Sequence, residues 1–313
     1  MSLLALVAAL LMEQFHPLSS RKYLSAGLAG YADFFEHRFN GGKYAHGRIA
    51  WWVAILPLLL GVVLLTVWLH HLHPLLALLL DVLVLYLTMG FRRFSHYFTD
   101  IHQALRNGQL ERARGLLGQW RGAPADGLNG EEVVRVSIEE ALLASHRNVF
   151  GVIVWFVLFS AMGLGGAAGA LLYRLVQLLH LRWSKPADAG TENFGGFAGR
   201  AYYVFNWLPV RATAMTFAIV GDFENTIYCW RTQAASWADP EAGILLASGA
   251  GALGVMLGMP LGEDGELQDR PELGVGDDDA DIGFMQSTIG LMWRAIVFWV
   301  LLLLLLTAAS LLG

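Results

Sequence analysis

Long apolar runs dominate the pattern of hydrophobic and polar positions along this chain. They occupy residues 49–69, 75–90, 149–181 and 291–312, and no charged residue interrupts 295–310. A bilayer crossing needs about 20 apolar residues, so the first and last runs are each long enough to span. A helix buried in a soluble core would need a larger polar shell than the remaining residues offer. The pattern therefore predicts an all-α, polytopic membrane protein.

The composition supports a membrane protein. Hydrophobic residues make up 56% of the 313 residues and charged residues 15%, whereas a soluble domain is about half apolar and about a quarter charged. The net charge of −5 adds little, because most of the charged residues lie in the segments between the apolar runs. Cys229 is the one cysteine, which excludes an intramolecular disulfide and a thiolate metal cluster.

The placement of lysine and arginine predicts the orientation in the membrane. Five basic residues precede the first run, none occurs in the link 70–74, and eight arginines follow in 91–148. Because positive residues stay in the cytoplasm, we predict a transmembrane hairpin at 49–90 with a periplasmic tip, followed by a cytoplasmic helical segment at 91–148. The predicted location is the bacterial inner (plasma) membrane, crossed several times.

The run 149–181 is too long for one ordinary crossing. Gly163, Gly165, Gly166 and Gly169 interrupt it, and both of its flanks are basic. We predict a hinged, glycine-rich membrane hairpin that returns to the cytoplasmic side. The glycines can line a cavity, where irregular backbone is tolerated, or they can allow close helix packing, and both interpretations stay open.

The rest of the chain is assigned more coarsely. Residues 182–289 are predicted to form packed helices and polar loops, 290–312 a C-terminal transmembrane helix, and 1–313 a single membrane domain. Asp81 lies inside the second apolar run, so it is expected to face protein or water. Amphipathic helices are predicted in 99–148, with a break at 122–130 where Gly and Pro cluster. In 131–148, Ser137 and Glu140 have the spacing of a capping box, but a helix that continues from Glu131 fits equally well.

Motifs for common catalytic chemistry are absent from the sequence. It has no P-loop, G-x-S-x-G or H-E-x-x-H motif. The acidic run 277–279 with Asp281, and the histidines at 70, 71 and 73, could hold a metal. A solvated loop is the simpler explanation for the acidic run, and a position at the membrane interface is the simpler explanation for the histidines. No metal site is therefore predicted.

Arg211 beside Pro209 could hold a phosphate or carboxylate bidentately, or it could pair with Asp81, Asp222 or Glu224.

Several short blocks then point to a family. They are Phe15-His16-Pro17-Leu18, NGQLERARGLLG at 107–118, Ile138-Glu139-Glu140, Gly165-Gly166-Ala167 with Tyr173-Arg174, Arg200 with Asn206, Pro209 and Arg211, 251–254 with Gly258, Arg270-Pro271 with Gly274, and 288–293. These blocks resemble those of the CobD/CbiB adenosylcobinamide-phosphate synthases and their relative AmpE. The resemblance covers nearly the whole chain, in the same block order.

The chain departs from the family pattern where the pattern has acids. Replacements at the family's ENxxD, NTLD and paired-aspartate positions are Ala144, Ser145, Asn148, Gln177, His180, Tyr202 and Tyr203. The resemblance implies a synthase that joins an aminopropanol-type amine to a cobyric-acid carboxylate. Such a reaction, if driven by a nucleotide, needs carboxylates to hold Mg²⁺. Their loss favours a pseudoenzyme that lacks the acidic metal site.

Two functions stay open. The favoured one is a divergent, AmpE-like envelope or regulatory component that binds a small anionic ligand; the alternative is the amide-forming ligase of cobalamin biosynthesis. No cofactor is predicted, except Mg²⁺ and a nucleotide for the ligase. The expected partners are the lipid bilayer, the anionic ligand, and a second copy or an envelope protein, with no nucleic acid.

The ligand-binding candidates are Arg174, Arg200, Tyr202, Tyr203, Asn206 and Arg211. The family-matching residues are His16, Glu140, Pro209 and Arg270, and no catalytic residue is assigned.

Overall fold

Helices make up nearly all of the computed structural model, which describes residues 2–15, 21–184, 192–263, 266–275 and 280–312. The chain divides into two compact units, unit 1 with residues 1–89 and 151–209, and unit 2 with residues 90–150 and 210–313. The helices are α1 Ser2–Phe15, α2 Arg21–Phe39, α3 Tyr44–Leu72, α4 Pro74–Thr88, α5 Phe91–Arg106, α6 Leu110–Arg121, α7 Gly130–Ser145, α8 Gly151–Ala161, α9 Gly166–Trp183, α10 Glu192–Val220, α11 Phe223–Thr232, α12 Pro240–Leu253 and α13 Ile282–Leu312.

Three helical stretches of the described chain are long and apolar enough to cross a membrane. They are Tyr44–Leu72, Gly130–Ala161 and Ile282–Ala309. The first contains the predicted run 49–69 and the last overlaps most of the predicted run 291–312, so the prediction of an all-α, polytopic membrane protein is confirmed. The middle stretch differs from the prediction, because α7 continues through a π-helical turn at His146–Phe150 into α8. The arginines of 91–148 suggested a separate cytoplasmic helical segment, but most of the stretch Gly130–Ala161 is buried inside the protein.

The α3–α4 hairpin of unit 1 turns at His73. The His73 side chain caps α4, since the Leu75 N–H donates to its Nδ1 at 3.2 Å, and Pro74 occupies the first turn of the helix. A proline is tolerated there because its missing N–H would have had no helical partner. The predicted link within 70–74 is therefore present, and His73 acts as the N-cap of α4.

The glycine-rich hairpin is formed by α8 and α9. They are separated by a turn in which Gly163 (φ +73°) and Gly165 (φ +87°) adopt left-handed backbone. The helices then pack antiparallel with their backbones close together. A Cβ atom on Gly169 would lie 2.1 Å from the Trp155 carbonyl oxygen, and one on Gly151 would lie 2.3 Å from the Tyr173 ring. The predicted hinge at the glycines is confirmed, although α8 is the end of the longer helical stretch Gly130–Ala161 and not a separate short helix. Gly169 allows α8 and α9 to pack closely.

The core of unit 1 is aromatic, and backbone carbonyls accept hydrogen bonds from the polar ring atoms of Tyr31 and Trp183. The Tyr31 hydroxyl donates to the Ala54 carbonyl at 2.7 Å. The Trp183 indole N–H donates to the Ala32 carbonyl at 3.2 Å. Buried Tyr and Trp side chains need such partners, because an unmade hydrogen bond in an apolar interior is costly. These bonds tie α2 to α3 and α9.

In unit 2, short sequence signals mark the end of α6 and the start of α7. Gly122 ends α6 in the left-handed region (φ +74°), as expected for a helix C-cap. Asn129 and Glu132 form a reciprocal capping box at the start of α7. The predicted break near 122–130 is therefore confirmed. The alternative box at Ser137 is wrong, since that residue is buried within α7 and its hydroxyl donates to the Val133 carbonyl.

Four short strands in unit 2 interrupt the helical pattern. β1 Leu257–Gly258 pairs antiparallel with β4 Glu272–Leu273, and β2 Leu261–Glu263 pairs antiparallel with β3 Glu266–Gln268. The sequence pattern assigned this region to a polar loop, because strands of two or three residues have no detectable periodicity. The small residues of α12 pack as expected for a Gly- and Ala-rich helix, and a Cβ on Gly249 would lie 2.4 Å from Leu142.

The close α8–α9 contact predicts a large effect from a single methyl group. Gly169→Ala should destabilise the protein by about 1–3 kcal/mol, because the new Cβ meets a backbone carbonyl that cannot rotate away. Thermal unfolding in detergent measures the change. Gly61→Ala is the matched control, since Gly61 lies inside α3 with nothing within 4 Å of a new Cβ. Equal unfolding temperatures for the two variants would contradict the packing role of Gly169.

Candidate functional site

A hydrogen-bonded polar cluster joins α9 and α10 within unit 1. The Tyr173 hydroxyl donates to Asn206 Oδ1 at 3.1 Å, and Asn206 Nδ2 donates to the Tyr202 hydroxyl at 3.3 Å. Asn206 is only 2% exposed, so its amide needs these partners. Tyr202 and Asn206 are four residues apart and share one face of α10. The cluster contains two of the predicted ligand-binding residues.

His180 of α9 extends this cluster toward the next turn. Its ring stacks on Tyr202, with centroids 4.3 Å apart and planes 3° from parallel. Tyr203 meets the His180 ring from the side at 6.1 Å and is 46% exposed, whereas Tyr202 is buried. The residues that were predicted to replace the family's acids on two different helices are thus direct neighbours. We call Tyr173, His180, Tyr202, Tyr203 and Asn206 the α9–α10 cluster.

Arg174 lies on the same helix as His180 and binds the end of α4. Its Nε donates to the carbonyl of Thr88, the last residue of α4, and its Nη1 donates to Gln177 Oε1 at 2.6 Å. A cation at a helix C-terminus is favoured by the helix dipole and by the carbonyls that lack helical partners. Arg174 therefore has a structural role at α4 as well as a predicted role in binding.

The remaining candidates of α10 are more dispersed. The Arg200 guanidinium lies over the Tyr44 ring at 5.3 Å from the centroid, a cation–π contact. Pro209 stands inside α10, which continues through it as one helix. Neighbouring helices can satisfy the backbone groups that an internal proline releases. Arg211 is half-buried and belongs to unit 2.

Of the acids considered for Arg211, two have definite positions of their own. Asp222 caps α11, accepting from the backbone N–H of Asn225 at 3.0 Å and from its side-chain amide at 2.9 Å. Asp81 belongs to unit 1 and accepts a hydrogen bond from the Ala167 N–H at 2.9 Å. The pairing of Arg211 with an acid stays a prediction.

Unit 2 contains a buried ion pair between α7 and the strand region. Arg270 Nη2 donates to both carboxylate oxygens of Glu139, at 2.7 and 3.0 Å, and the Gly258 N–H donates to the same carboxylate at 2.9 Å. Glu139 is only 5% exposed. The Arg270 guanidinium also stacks on Trp237 at 5.2 Å. Removing one partner of such a pair would leave a buried charge, so the pair fixes β1 on α7.

The family-matching acid Glu140 has a different environment from its neighbour Glu139. Successive residues of a helix point about 100° apart, so only one of the two can face the strands. Glu140 lies half-buried between Arg121 at 4.0 Å and Arg147 at 3.6 Å. Arg270 therefore pairs with Glu139 and not with Glu140. Two adjacent glutamates in a sequence carry no signal that separates these roles.

His146 was not singled out from the sequence, although its surroundings are unusual. It begins the π-helical turn His146–Phe150 and is 1% exposed, with its Nδ1 2.9 Å from Thr213 Oγ1. The turn overlaps the position of the family's ENxxD motif. π-Helical turns are frequent at functional sites, and an extra residue in a helix cannot be read from apolar periodicity.

The described residues contain no large cluster of metal-ligating side chains. No group of three or more His, Cys, Asp or Glu side chains that could hold a metal ion occurs among them. The acidic run 277–279 and the family-matching His16 lie outside the described residues. Cys229 is buried, and burial raises the pKa of its thiol, so it is a poor candidate for a thiolate nucleophile.

Comparisons with known proteins agree on one family. The model of the family described as CobD/Cbib protein matches residues 6–292. A protein of Stutzerimonas stutzeri named cobalamin biosynthesis protein CobD is 34% identical over 305 residues, which cover 96% of each chain. A Chromobacterium violaceum protein of the same name is 35% identical over 262 residues, covering 83% of this chain and 80% of its own.

More distant relatives extend the same result. The Salmonella typhimurium protein named cobalamin biosynthesis protein CbiB is 27% identical over 233 residues, covering 72% of this chain and 70% of its own. No solved structure matches. A family model that spans most of the sequence, together with two relatives at about a third identity over 80% or more of each chain, decides the assignment. This chain belongs to the CobD/CbiB family.

Proposed function

We propose that this protein is an enzyme of cobalamin biosynthesis that forms an amide, as an adenosylcobinamide-phosphate synthase does. The observation that carries the proposal is the similarity to the Stutzerimonas stutzeri protein named for cobalamin biosynthesis, which covers 96% of both chains. Coverage of this extent means that the two proteins share their whole architecture and not one common module. The second relative at 35% identity carries the same name.

This proposal corrects the function that was favoured from the missing acids. A pseudoenzyme with an AmpE-like envelope or regulatory role is contradicted by relatives named for cobalamin biosynthesis at 34% and 35% identity. The AmpE-like qualifier gains no support from these matches. The missing acids concern a few helix positions, which weigh less than similarity along the whole chain. A shift of one residue in the alignment with the family changes which side chain is compared with each acid.

The α9–α10 cluster is our candidate for contact with the substrate. Its side chains offer hydroxyl, amide and imidazole groups in one place, and they are neutral donors and acceptors for a polar substrate. A histidine such as His180 can accept the proton that an amine loses when it forms an amide. Arg174 and Arg200 supply positive charge on the same two helices. Arg211, in unit 2, is proposed as a separate bidentate contact for an anionic group.

Amide formation from a carboxylate and an amine releases water and needs an activated carboxyl group. A nucleotide is the source of activation that the family resemblance suggests, with Mg²⁺ bound to its phosphates. Mg²⁺ commonly keeps several waters and takes few protein ligands. The described residues contain no group of three or more His, Cys, Asp or Glu side chains that could hold it. The proposal for this chain concerns the groups that bind and orient the substrate.

Complementation tests the proposed function. We expect the gene to restore cobalamin-dependent growth to a strain that lacks its CobD/CbiB synthase, because the relatives that match over the whole chain are named for this pathway. An empty vector and an authentic synthase gene are the controls. Absence of growth, with the protein shown by immunoblot to be present in the membrane, would reject the enzyme proposal.

Substitution of Tyr202 tests the proposed site. Tyr202→Phe removes the hydroxyl that accepts from Asn206 and keeps the ring that stacks on His180. The rate of amide formation by the purified protein should fall about two- to tenfold, as expected for one neutral hydrogen bond. Tyr228→Phe on α11, an exposed tyrosine, is the matched control and should leave the rate unchanged. An unchanged rate for Tyr202→Phe would remove the cluster from consideration.

The inner-membrane, multi-pass topology is also a proposal, and cysteine labelling tests it. In a Cys229→Ser background, Arg48→Cys and Arg182→Cys should react from the cytoplasmic side. His71→Cys should react from the periplasmic side, because the link between α3 and α4 has no lysine or arginine. Met162→Cys, 61% exposed in the α8–α9 turn, should behave as His71→Cys does. Labelling of Arg48→Cys and Arg182→Cys from opposite sides would contradict the predicted hairpins.

A further inference from the structure

A buried arginine in unit 2 has no carboxylate partner among the described residues. Arg135 lies on α7 and is only 8% exposed. Its Nη1 donates to the Met259 sulfur at 3.3 Å, and its Nη2 donates to the Pro260 carbonyl at 3.4 Å. Its Nε is also buried and has no hydrogen-bond partner in the described part of the chain. A guanidinium stays protonated in a protein, so this charge needs an anion or stronger acceptors.

The carboxylate of Glu139, one turn further along α7, is already paired. It accepts hydrogen bonds from Arg270 at 2.7 and 3.0 Å and from the Gly258 N–H at 2.9 Å. Arg135 is near enough to act on the charge of Glu139, but these two described side chains do not form an ion pair. Two guanidinium groups and one carboxylate therefore give the three side chains one net positive charge. An uncompensated charge in a protein interior is costly.

The turn that contacts Arg135 has an unfavourable backbone conformation. Met259 has a φ of +63°, in the left-handed region that residues other than glycine rarely adopt. Its carbonyl accepts from Arg270 Nε at 3.3 Å, and its N–H donates to the Pro271 carbonyl at 3.2 Å, so its surroundings impose this conformation. Backbone strain of this kind is concentrated at active sites and ligand-binding sites. Pro260, the next residue, is exposed, which places the turn at the surface of unit 2.

We infer that Arg135 binds the oxyanion of a phosphate group, which replaces the sulfur and the carbonyl that now contact its guanidinium. A guanidinium donates through a planar fork that matches two oxygens of a phosphate. A thioether sulfur is a weak acceptor, and the 3.4 Å contact with Pro260 is longer than an ordinary hydrogen bond. The oxyanion therefore forms stronger bonds than those it replaces and compensates the net positive charge. None of these residues belongs to the α9–α10 cluster, so the site is independent of the proposed amide formation.

A binding role and a structural role for Arg135 predict different effects of substitution. Replacing Arg270 would leave the Glu139 carboxylate without its partner, whereas replacing Arg135 leaves that pair intact. Exchange of an unpaired buried charge for an apolar side chain should therefore keep or raise the unfolding temperature of the ligand-free protein. A structural contact between α7 and the turn would instead make Arg135→Met less stable. Arg135→Lys retains a cation at this position and tests the site in a protein whose charge is unchanged.

The test measures binding of inorganic phosphate to the full chain by isothermal titration calorimetry in dodecyl maltoside, a detergent without phosphate. We expect saturable binding with a Kd of about 1 mM or tighter, and an unfolding temperature that rises with phosphate concentration. Arg135→Lys should weaken binding about tenfold or more, because lysine keeps the charge and loses the fork. Arg135→Met should abolish saturable binding. Arg112→Met is the matched control, since Arg112 is an exposed arginine of unit 2 that donates to Gln109 at 3.2 Å.

No saturable binding of phosphate, or equal affinity in the wild type and both Arg135 variants, would overturn the inference. The phosphate group can belong to a soluble phosphate or to the headgroup of a phospholipid. Competition by short-chain phosphatidylglycerol, added below its critical micelle concentration, distinguishes the two sources. Displacement of bound phosphate supports a lipid headgroup, and unchanged phosphate binding supports a soluble ligand. Both of these outcomes retain the oxyanion site at Arg135.

Discussion

A charge inside an apolar helical protein must be compensated, and each unit of this chain depends on one such compensation. In unit 2 the carboxylate of Glu139 receives Arg270 and the Gly258 N–H, which fixes the short strands on α7. In unit 1 Asp81 receives a backbone N–H of α9. Isolated ions in a medium of low polarity would cost several kcal/mol each. Both acids therefore determine which elements can pack together.

Close helix packing is the second constraint, and glycine position controls it. Gly169 lets the backbone of α9 approach Trp155, while Gly165 and Gly166 leave room for a cavity beside Thr66 and Ser160. Helices surrounded by lipid gain little from burying apolar side chains, so van der Waals contact between backbones is a larger share of their stabilisation. The two interpretations that the glycines allowed are thus both correct, at different positions of the same hairpin.

The helical architecture could be predicted from the sequence because long apolar runs, glycine interruptions and local caps are all short-range signals. The α8–α9 hairpin and the break before α7 follow from them. The strands at 257–273 could not, since two-residue strands depend on a distant partner and have no period of their own. The pairing of Arg270 with Glu139 instead of Glu140 depends on the rotation of α7, which adjacent acids do not reveal.

The same limit explains why the missing acids suggested the wrong function. His180 and the two tyrosines at 202 and 203 stand on different helices, so in the sequence they count as separate losses of family acids. In the structure their rings are in contact, with His180 stacked on Tyr202 at 4.3 Å. Replacements at positions that touch are not independent, because a change at one alters what the other can accommodate. They amount to one altered environment, and one altered environment is weak evidence against similarity that extends over 96% of the chain.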